Sequence, residues 1–249
     1  MSGHSHWATI KHKKGAIDAK RGKLWSKLSR AIIIAAKNGG GDPNMNLKLR
    51  YAIDKAREVS MPKDNIERAI KRGTGDIEGL VFEEITYEGF GPGGVSILVE
   101  VLTDNRNRTN GEVRKIFERT GGKMGSAGSV AYLFERKGVF SIDASTIDED
   151  TLMGIALDAG ADDLKRSGKS FDVTCDPTAF NHVMDALKAN NLTPTVAEVS
   201  QVPKVAVDVD AEAGKKVVRL WEALDDHDDT QNVYCNANIT EEMVTAAQE

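Results

Sequence analysis

The chain has 249 residues, 40% of them hydrophobic and 29% charged, which supplies enough apolar surface for packed cores and argues against global disorder. No apolar run approaches the roughly 18 residues of a membrane span; the longest, near Ala31 to Ala36, is bounded by Arg30 and Lys37. The positive N-terminal stretch has no apolar segment behind it and does not read as a secretory signal, and two cysteines, Cys175 and Cys235, imply free thiols in a reducing, cytoplasmic compartment rather than a disulfide framework.

The net charge of -5 conceals a segregation. Residues 1–79 carry 17 Lys+Arg against 8 Asp+Glu, net +9, which leaves 16 of the 33 basic and 30 of the 38 acidic residues for 80–249, net -14. A basic segment on an acidic body suggests a polyanion partner at one end and repulsion of that partner elsewhere. The length favours two or three domains over one core.

From Ala16 to Lys37, Leu24, Leu28, Ala31, Ile32 and Ala35 follow helical spacing, and Asn38-Gly39-Gly40-Gly41 supplies the stop. After Pro43, Asn44 can cap a second helix with Leu49, Ile53 and Ala56 on one face. Pro62 suits the first turn of a third, with Ile66, Ala69 and Ile70 inward and Gly73 as its end. The glycine-rich stretch from Gly73 to Gly79 is the expected boundary.

Beyond it, Glu84 to Tyr87 and Val95 to Leu102 read as a hairpin around Gly89 to Gly94. Thr103-Asp104-Asn105 caps a helix running through Arg119, Gly121-Gly122 ends it, and Val130 to Phe134 reads as a strand. The order from 137 to 202 is strand, helix, strand, strand, helix, strand, which is the ferredoxin-like unit. A strand near Val205 to Val209, a helix from Ala211 to Leu224 and a strand near Gln231 to Asn236 are too little for a separate domain, so they are expected to complete the sheet begun at residue 84. The expected fold is α+β and multidomain. It has an N-terminal three-helix bundle (1–79), a discontinuous α/β sandwich-like domain (80–136 plus 203–249), and a ferredoxin-like domain (137–202) inserted into the second.

The strongest functional signal lies at the N-terminus. Residues 1–30 hold Lys11, Lys13, Lys14, Lys20, Arg21, Lys23, Lys27 and Arg30 against the single acid Asp18. Lys20, Lys23, Lys27 and Arg30 fall on one helical stripe opposite an apolar face, and His6, Trp7 and His12 interleave as groups that could stack on unpaired bases. With no intramolecular acid nearby in sequence to neutralise it, the stripe is expected to contact nucleic-acid phosphate. Arg106 and Arg108 stand at a strand end where they could form a phosphate rim; helix capping with surface arginines is the favoured alternative.

Catalytic signatures are missing. There is no His-Glu-x-x-His, Cys-x-x-Cys, Gly-x-Ser-x-Gly or Rossmann pattern, and Gly121 to Gly125 lacks the phosphate-loop order and reads as a turn. Asp225-Asp226-His227-Asp228-Asp229 lacks the spaced ligands of a calcium loop and reads as a solvated helix end. His182 and His227 stand alone. Once Met1 is removed, Ser2-Gly3-His4 would offer a copper- or nickel-type donor set, a combination that also arises easily by chance. No catalytic residue, metal, cofactor, membrane or small-molecule substrate is expected; the acidic body is open to a protein partner.

Several long stretches carry a resemblance: GHSHWATIKHKKGAIDAKRGKLWSKL, MPKDNIERAIKRG, YEGFGPGGVSILVEVLTDNRNRT, GSVAYLFERKG, QVPK and DTQNVYCNANI. Together they resemble the YebC family, which includes the mitochondrial translational activator of cytochrome c oxidase. The resemblance implies three domains with the third inserted into the second, and two functions for one basic surface. Bacterial members are described as transcriptional regulators that bind DNA; others act in translation on the ribosome, easing elongation through difficult sequences. The expectation is therefore a non-enzymatic regulator of gene expression that binds DNA through its N-terminal domain, with a translation factor bound to ribosomal RNA as the alternative.

Overall fold

The structure, a computed structural model, describes the backbone of residues 18–79 and 81–248; the side chains of 18–21, 241 and 248 lie outside the description. Three helices open the described chain: α1 (Asp18–Gly39), α2 (Leu47–Glu58) and α3 (Lys63–Thr74). Their apolar faces meet in one cluster built on Ile32, Ala36, Leu49, Ile53, Ala56, Met61, Ile66 and Ala69.

Two local expectations need correction. Asn46, not Asn44, caps α2: its side chain accepts from Leu49 N–H at 3.1 Å and donates to the Ala35 and Gly40 carbonyls at 2.7 and 2.8 Å. One buried side chain thereby closes the end of α1 and the start of α2, while Asn44 is spent in a turn on Asp42. Gly73 does not stop α3, which ends at Gly75 with φ +87°. Gly73 lets α3 lie against α1, because a Cβ there would sit 2.4 Å from the Ile33 carbonyl oxygen and 2.6 Å from Ala36 Cβ.

The body begins with β1 (Glu83–Phe90) and β2 (Ser96–Thr103), an antiparallel hairpin closed by a 3-10 turn at Pro92–Gly94. After α4 (Arg106–Arg119), β3 (Lys123–Met124) joins the far edge of β1. The expected strand from Val130 to Phe134 is instead a loop and 3-10 turn (Ala131–Leu133). The cause is Glu88, buried on β1, whose carboxylate takes the N–H groups of Gly128, Val130 and Ala131 at 2.6, 2.6 and 2.8 Å. Backbone donors spent on a carboxylate are lost to a strand ladder. Burial alone would raise the Glu88 pKa, but the hydrogen bonds outweigh it and the carboxyl is held below its ordinary range.

The ferredoxin-like unit follows: β4 (Phe134–Asp143), α5 (Glu149–Asp158), β5 (Ala161–Ser167), β6 (Ser170–Cys175), α6 (Phe180–Ala189) and β7 (Val196–Pro203). Its sheet order is β5-β6-β4-β7, antiparallel throughout. The first and last strands pair from Phe134 opposite Pro203 inward, so chain entry and exit lie side by side.

The chain then returns through β8 (Val207–Asp208), α7 (Ala211–Asp225), β9 (Thr230–Cys235) and β10 (Ala237–Asn238). As expected, β9 pairs with β2 and completes the order β3-β1-β2-β9. One face of this sheet packs Val99, Val101, Val113, Phe117, Leu220, Trp221 and Leu224 between β2, α4 and α7. A last helix, α8 (Glu241–Gln248), unforeseen in the sequence reading, lies on α7. Both cysteines are free and buried in separate cores; burial pushes their thiols up, Cys175 to about 11 and Cys235 to about 12, so they are core residues and not nucleophiles. No helix among the described residues is long and apolar enough to cross a membrane.

Gly73→Ala is expected to lower stability by about 1–3 kcal/mol despite the better helix propensity of alanine, because α3 must move off α1. Urea unfolding of the full-length variant checks this; a stability equal to or above wild type would show that α1 and α3 have room to spare.

Candidate nucleic-acid interface

Of the predicted contact residues, Lys11, Lys13 and Lys14 lie outside the described residues, as do His6, Trp7, His12 and the Ser2-Gly3-His4 segment. Lys20 and Arg21 sit on the first turns of α1. Lys23, Lys27 and Arg30 do share one face of α1, opposite Ile32 and Ala36, as their spacing requires.

That face is not open to solvent, and the expectation that nothing intramolecular neutralises it is wrong. It rests on the end of α7 and the loop to β9, the segment expected to be a solvated helix end. Lys23 Nζ donates to the Asp226 carbonyl and lies 3.1 Å from the Asp228 carboxylate. Lys27 Nζ donates to the Asp225 carbonyl and lies 4.0 Å from its carboxylate, with its side chain only 14% exposed. Arg30 Nη1 donates to the Asp228 carbonyl and pairs with Asp229 at 3.0 Å, while its guanidinium lies over the Phe82 ring at 5.6 Å. The C-terminal end of a helix carries its own negative partial charge, so α7 presents two kinds of anionic group to one row of cations.

Asp229 is the centre of this contact. It is buried, at 2% exposure, on the side opposite Arg30 from a second arginine. Arg108 Nη2 and Thr109 Oγ1 donate to its carboxylate at 2.7 and 2.6 Å, Thr109 is braced on Thr103 at 2.7 Å, and the Asp229 carbonyl accepts from Leu102 N–H at 2.8 Å. Burial pushes the Asp229 pKa up, but the hydrogen bonds from Thr109 and Arg108 and the charges of Arg30 and Arg108 more than reverse this, leaving it below the ordinary carboxylate range. Arg108 is further held by Asp104 at 3.0 Å. It is therefore committed to anchoring the acidic loop and is no open phosphate rim. Arg106 is exposed, with no ion-pair partner among the described residues. Asn105 caps α4, as the capping alternative proposed.

His227 is not solitary either. Its Nδ1 accepts from Asp229 N–H at 3.2 Å, which places the proton on Nε2, 2.9 Å from Glu112. Glu112, His227 and Asp229 thus offer three ligand atoms within 4.8 Å of one another. His227 Nδ1 and the Asp229 carboxylate are already hydrogen-bonded internally, and Arg108 beside Asp229 opposes a cation.

The acidic partner of the stripe was missed by sequence reasoning, although its signal was present: three cations over eight residues meet four acids over five. Nothing in a local pattern says that segments some 200 residues apart face each other. Fold and site together define a three-part α+β protein whose cationic helical head is clasped by an acidic loop of its body. One family model, described as the TACO1/YebC protein N-terminal domain, matches residues 5–76, and another, the TACO1/YebC second and third domain, matches 82–237. The chain belongs to the TACO1/YebC family. It is 54% identical over 245 residues to a "Probable transcriptional regulatory protein" of Dictyoglomus turgidum, covering 98% of each chain. A relative of the same name in Rhodopirellula baltica is 53% identical over 98% of this chain and 100% of that one. The crystal structure of a conserved hypothetical protein from Aquifex aeolicus superposes with a TM-score of 0.83 at 44% identity, over 95% of this chain and 98% of that one.

Asp229→Ala is expected to cost about 1–3 kcal/mol, because the buried Thr109 hydroxyl loses its carboxylate acceptor while the half-exposed Arg108 keeps Asp104. The folded carboxyl is depressed, so its contribution is complete above the ordinary carboxylate range and disappears as pH falls through that range and below. Denaturant unfolding of wild type and Asp229→Asn from pH 7 downward should therefore show a gap that narrows in acid; a pH-independent gap would contradict the assignment.

Proposed function

We propose that this chain is a non-enzymatic regulator of gene expression that binds DNA through the cationic face of its helical head. One observation carries the proposal. The Lys23–Lys27–Arg30 row already holds a row of anionic and carbonyl oxygens in cis, the chemistry of a phosphate backbone. The row spans about 10 Å at 1.5 Å per residue, the axial rise of about three phosphates of one strand. Lysines read charge and not base identity, so binding of this kind positions the protein on the duplex without specifying sequence. The name carried by the relatives from Dictyoglomus turgidum and Rhodopirellula baltica agrees with this role.

A second reading, contact with ribosomal RNA in translation, is favoured by a different observation. Two of the three cations clasped on this face of α1 are lysines, which bind phosphate as point charges without reading base edges, and structured RNA meets such a face as well as a duplex does. Crosslinking in cells followed by sequencing of both DNA and RNA separates the two, promoter enrichment supporting the first and ribosomal RNA the second.

Reversal of Lys20, Lys23 and Lys27 to Glu is expected to weaken duplex binding at least tenfold. It should also flatten the dependence of log K on log salt by about 0.9 for each lysine that meets a phosphate. Fluorescence anisotropy between 50 and 200 mM salt measures both; unchanged affinity and slope would remove the stripe from the interface.

A further inference from the structure

We propose that the segment Asp225–Asp229 occupies the phosphate-binding face of α1 as an internal competitor, so that nucleic acid binds only an opened arrangement in which the head has left the acidic loop. This rests on the nucleic-acid reading of the stripe and assigns its regulation. The groups that would meet phosphate are the same Nζ and Nη atoms that now meet the body. Lys27 is nearly covered, and Lys23 and Arg30 are each held by both a carbonyl and a carboxylate. A phosphate and the loop cannot hold these groups together.

The remaining contacts between head and body are of a kind that can part. The head core and the cores of the body are separate clusters. Besides the clasp, the head meets the body through Tyr51, which donates to Asn181 at 2.7 Å and lies edge-on to Phe180, through Lys55 on Glu198 at 2.9 Å, and through Phe82 with Lys37 and Arg30. Apart from Tyr51, which packs on the edge of the inserted unit's core, these are polar contacts, of the type that makes domain interfaces within one chain labile. The chain from Gly75 to Phe82 forms no helix or strand among its described residues, so one irregular tether joins α3 to β1. Asp229 itself is fixed to Arg108 and Thr109, so on opening the loop stays with the body and the head departs. The acidic body then has a direct role: it lowers the apparent affinity of the head by the fraction of molecules that are closed.

The test uses the full chain and two probes, a fluorescein-labelled 30-base-pair duplex and a single-stranded RNA of the same length. The variant Asp225→Asn/Asp228→Asn removes two carboxylates of the clasp and leaves buried Asp229 intact. Asp150→Asn/Asp158→Asn removes two exposed acids of the inserted unit and controls for net charge. The clasp variant should bind about three- to tenfold tighter than that control, the range expected when two partly exposed ion pairs are lost from a competing state. A second readout needs no nucleic acid: spin labels at Glu58→Cys in α2 and Lys188→Cys in α6, with the native thiols buried, report the distance from head to body. The clasp variant should populate a longer distance, and saturating duplex should draw wild type to the same one. Binding equal to the control, or a distance unchanged by both the variant and the duplex, overturns the competition. If the variant lengthens the distance yet neither it nor wild type binds either probe, the nucleic-acid reading fails and the clasp survives only as a contact between head and body.

Discussion

The carboxylate of Asp229, removed from water in the loop beyond α7, has to be given partners, and Arg108 and Thr109 from α4 and Arg30 from α1 supply them, while Leu102 N–H from β2 holds the carbonyl of the same residue. The first two belong to the body and fix the loop to the rim of the sheet. The third belongs to the head. A buried charge tolerates the loss of one cation far better when a second remains, and Asp229 keeps Arg108 whether or not Arg30 is present. The loop is therefore anchored within the body by groups that do not depend on the head, which is what the proposed opening requires.

Charge segregation acquires a different meaning in this light. An acidic body attached to a basic head would be expected to repel nucleic acid and so orient the molecule. The geometry shows the opposite signs brought together, with the densest cations of α1 against the densest acids of the body. The field of this face of α1 is reduced by the chain's own acids, so under the proposed reading its attraction for a polyanion grows as the two parts separate. Exposed pairs such as Lys23 with Asp228 contribute little individually. In the proposed competition their effect comes from covering the atoms that phosphate would meet.

Much of this architecture was legible in the sequence because it depends on local periodicity. Helical spacing gave α1 to α3, two short β-rich runs around a glycine-rich turn gave the hairpin, and the order of elements from 137 to 202 gave the ferredoxin-like sheet, whose β5-β6-β4-β7 arrangement follows from that order. The failures share a cause. Asn46 rather than Asn44, Gly73 inside α3 rather than at its end, and the loop at Val130 rather than a strand are each decided by a partner distant in sequence: the Ala35 carbonyl, the Ile33 carbonyl and the Glu88 carboxylate. The stripe itself was read correctly as one face of one helix. Its occupant was not, because complementary charge on two segments specifies no register and no distance. The short terminal helix α8 carries too few turns for periodicity to separate it from a tail.

The pairing of Phe134 with Pro203 has a consequence for how the inserted unit is carried. The chain leaves the β3-β1-β2-β9 sheet and returns to it at neighbouring positions on one two-stranded stem, whose base buries Phe134 with Leu98, Val130 and Tyr234 on the second face of that sheet. That stem also carries the inserted unit's Asn181 and Glu198 to Tyr51 and Lys55 of the head, so the path of two paired strands sets where a second docking surface stands beside the acidic loop.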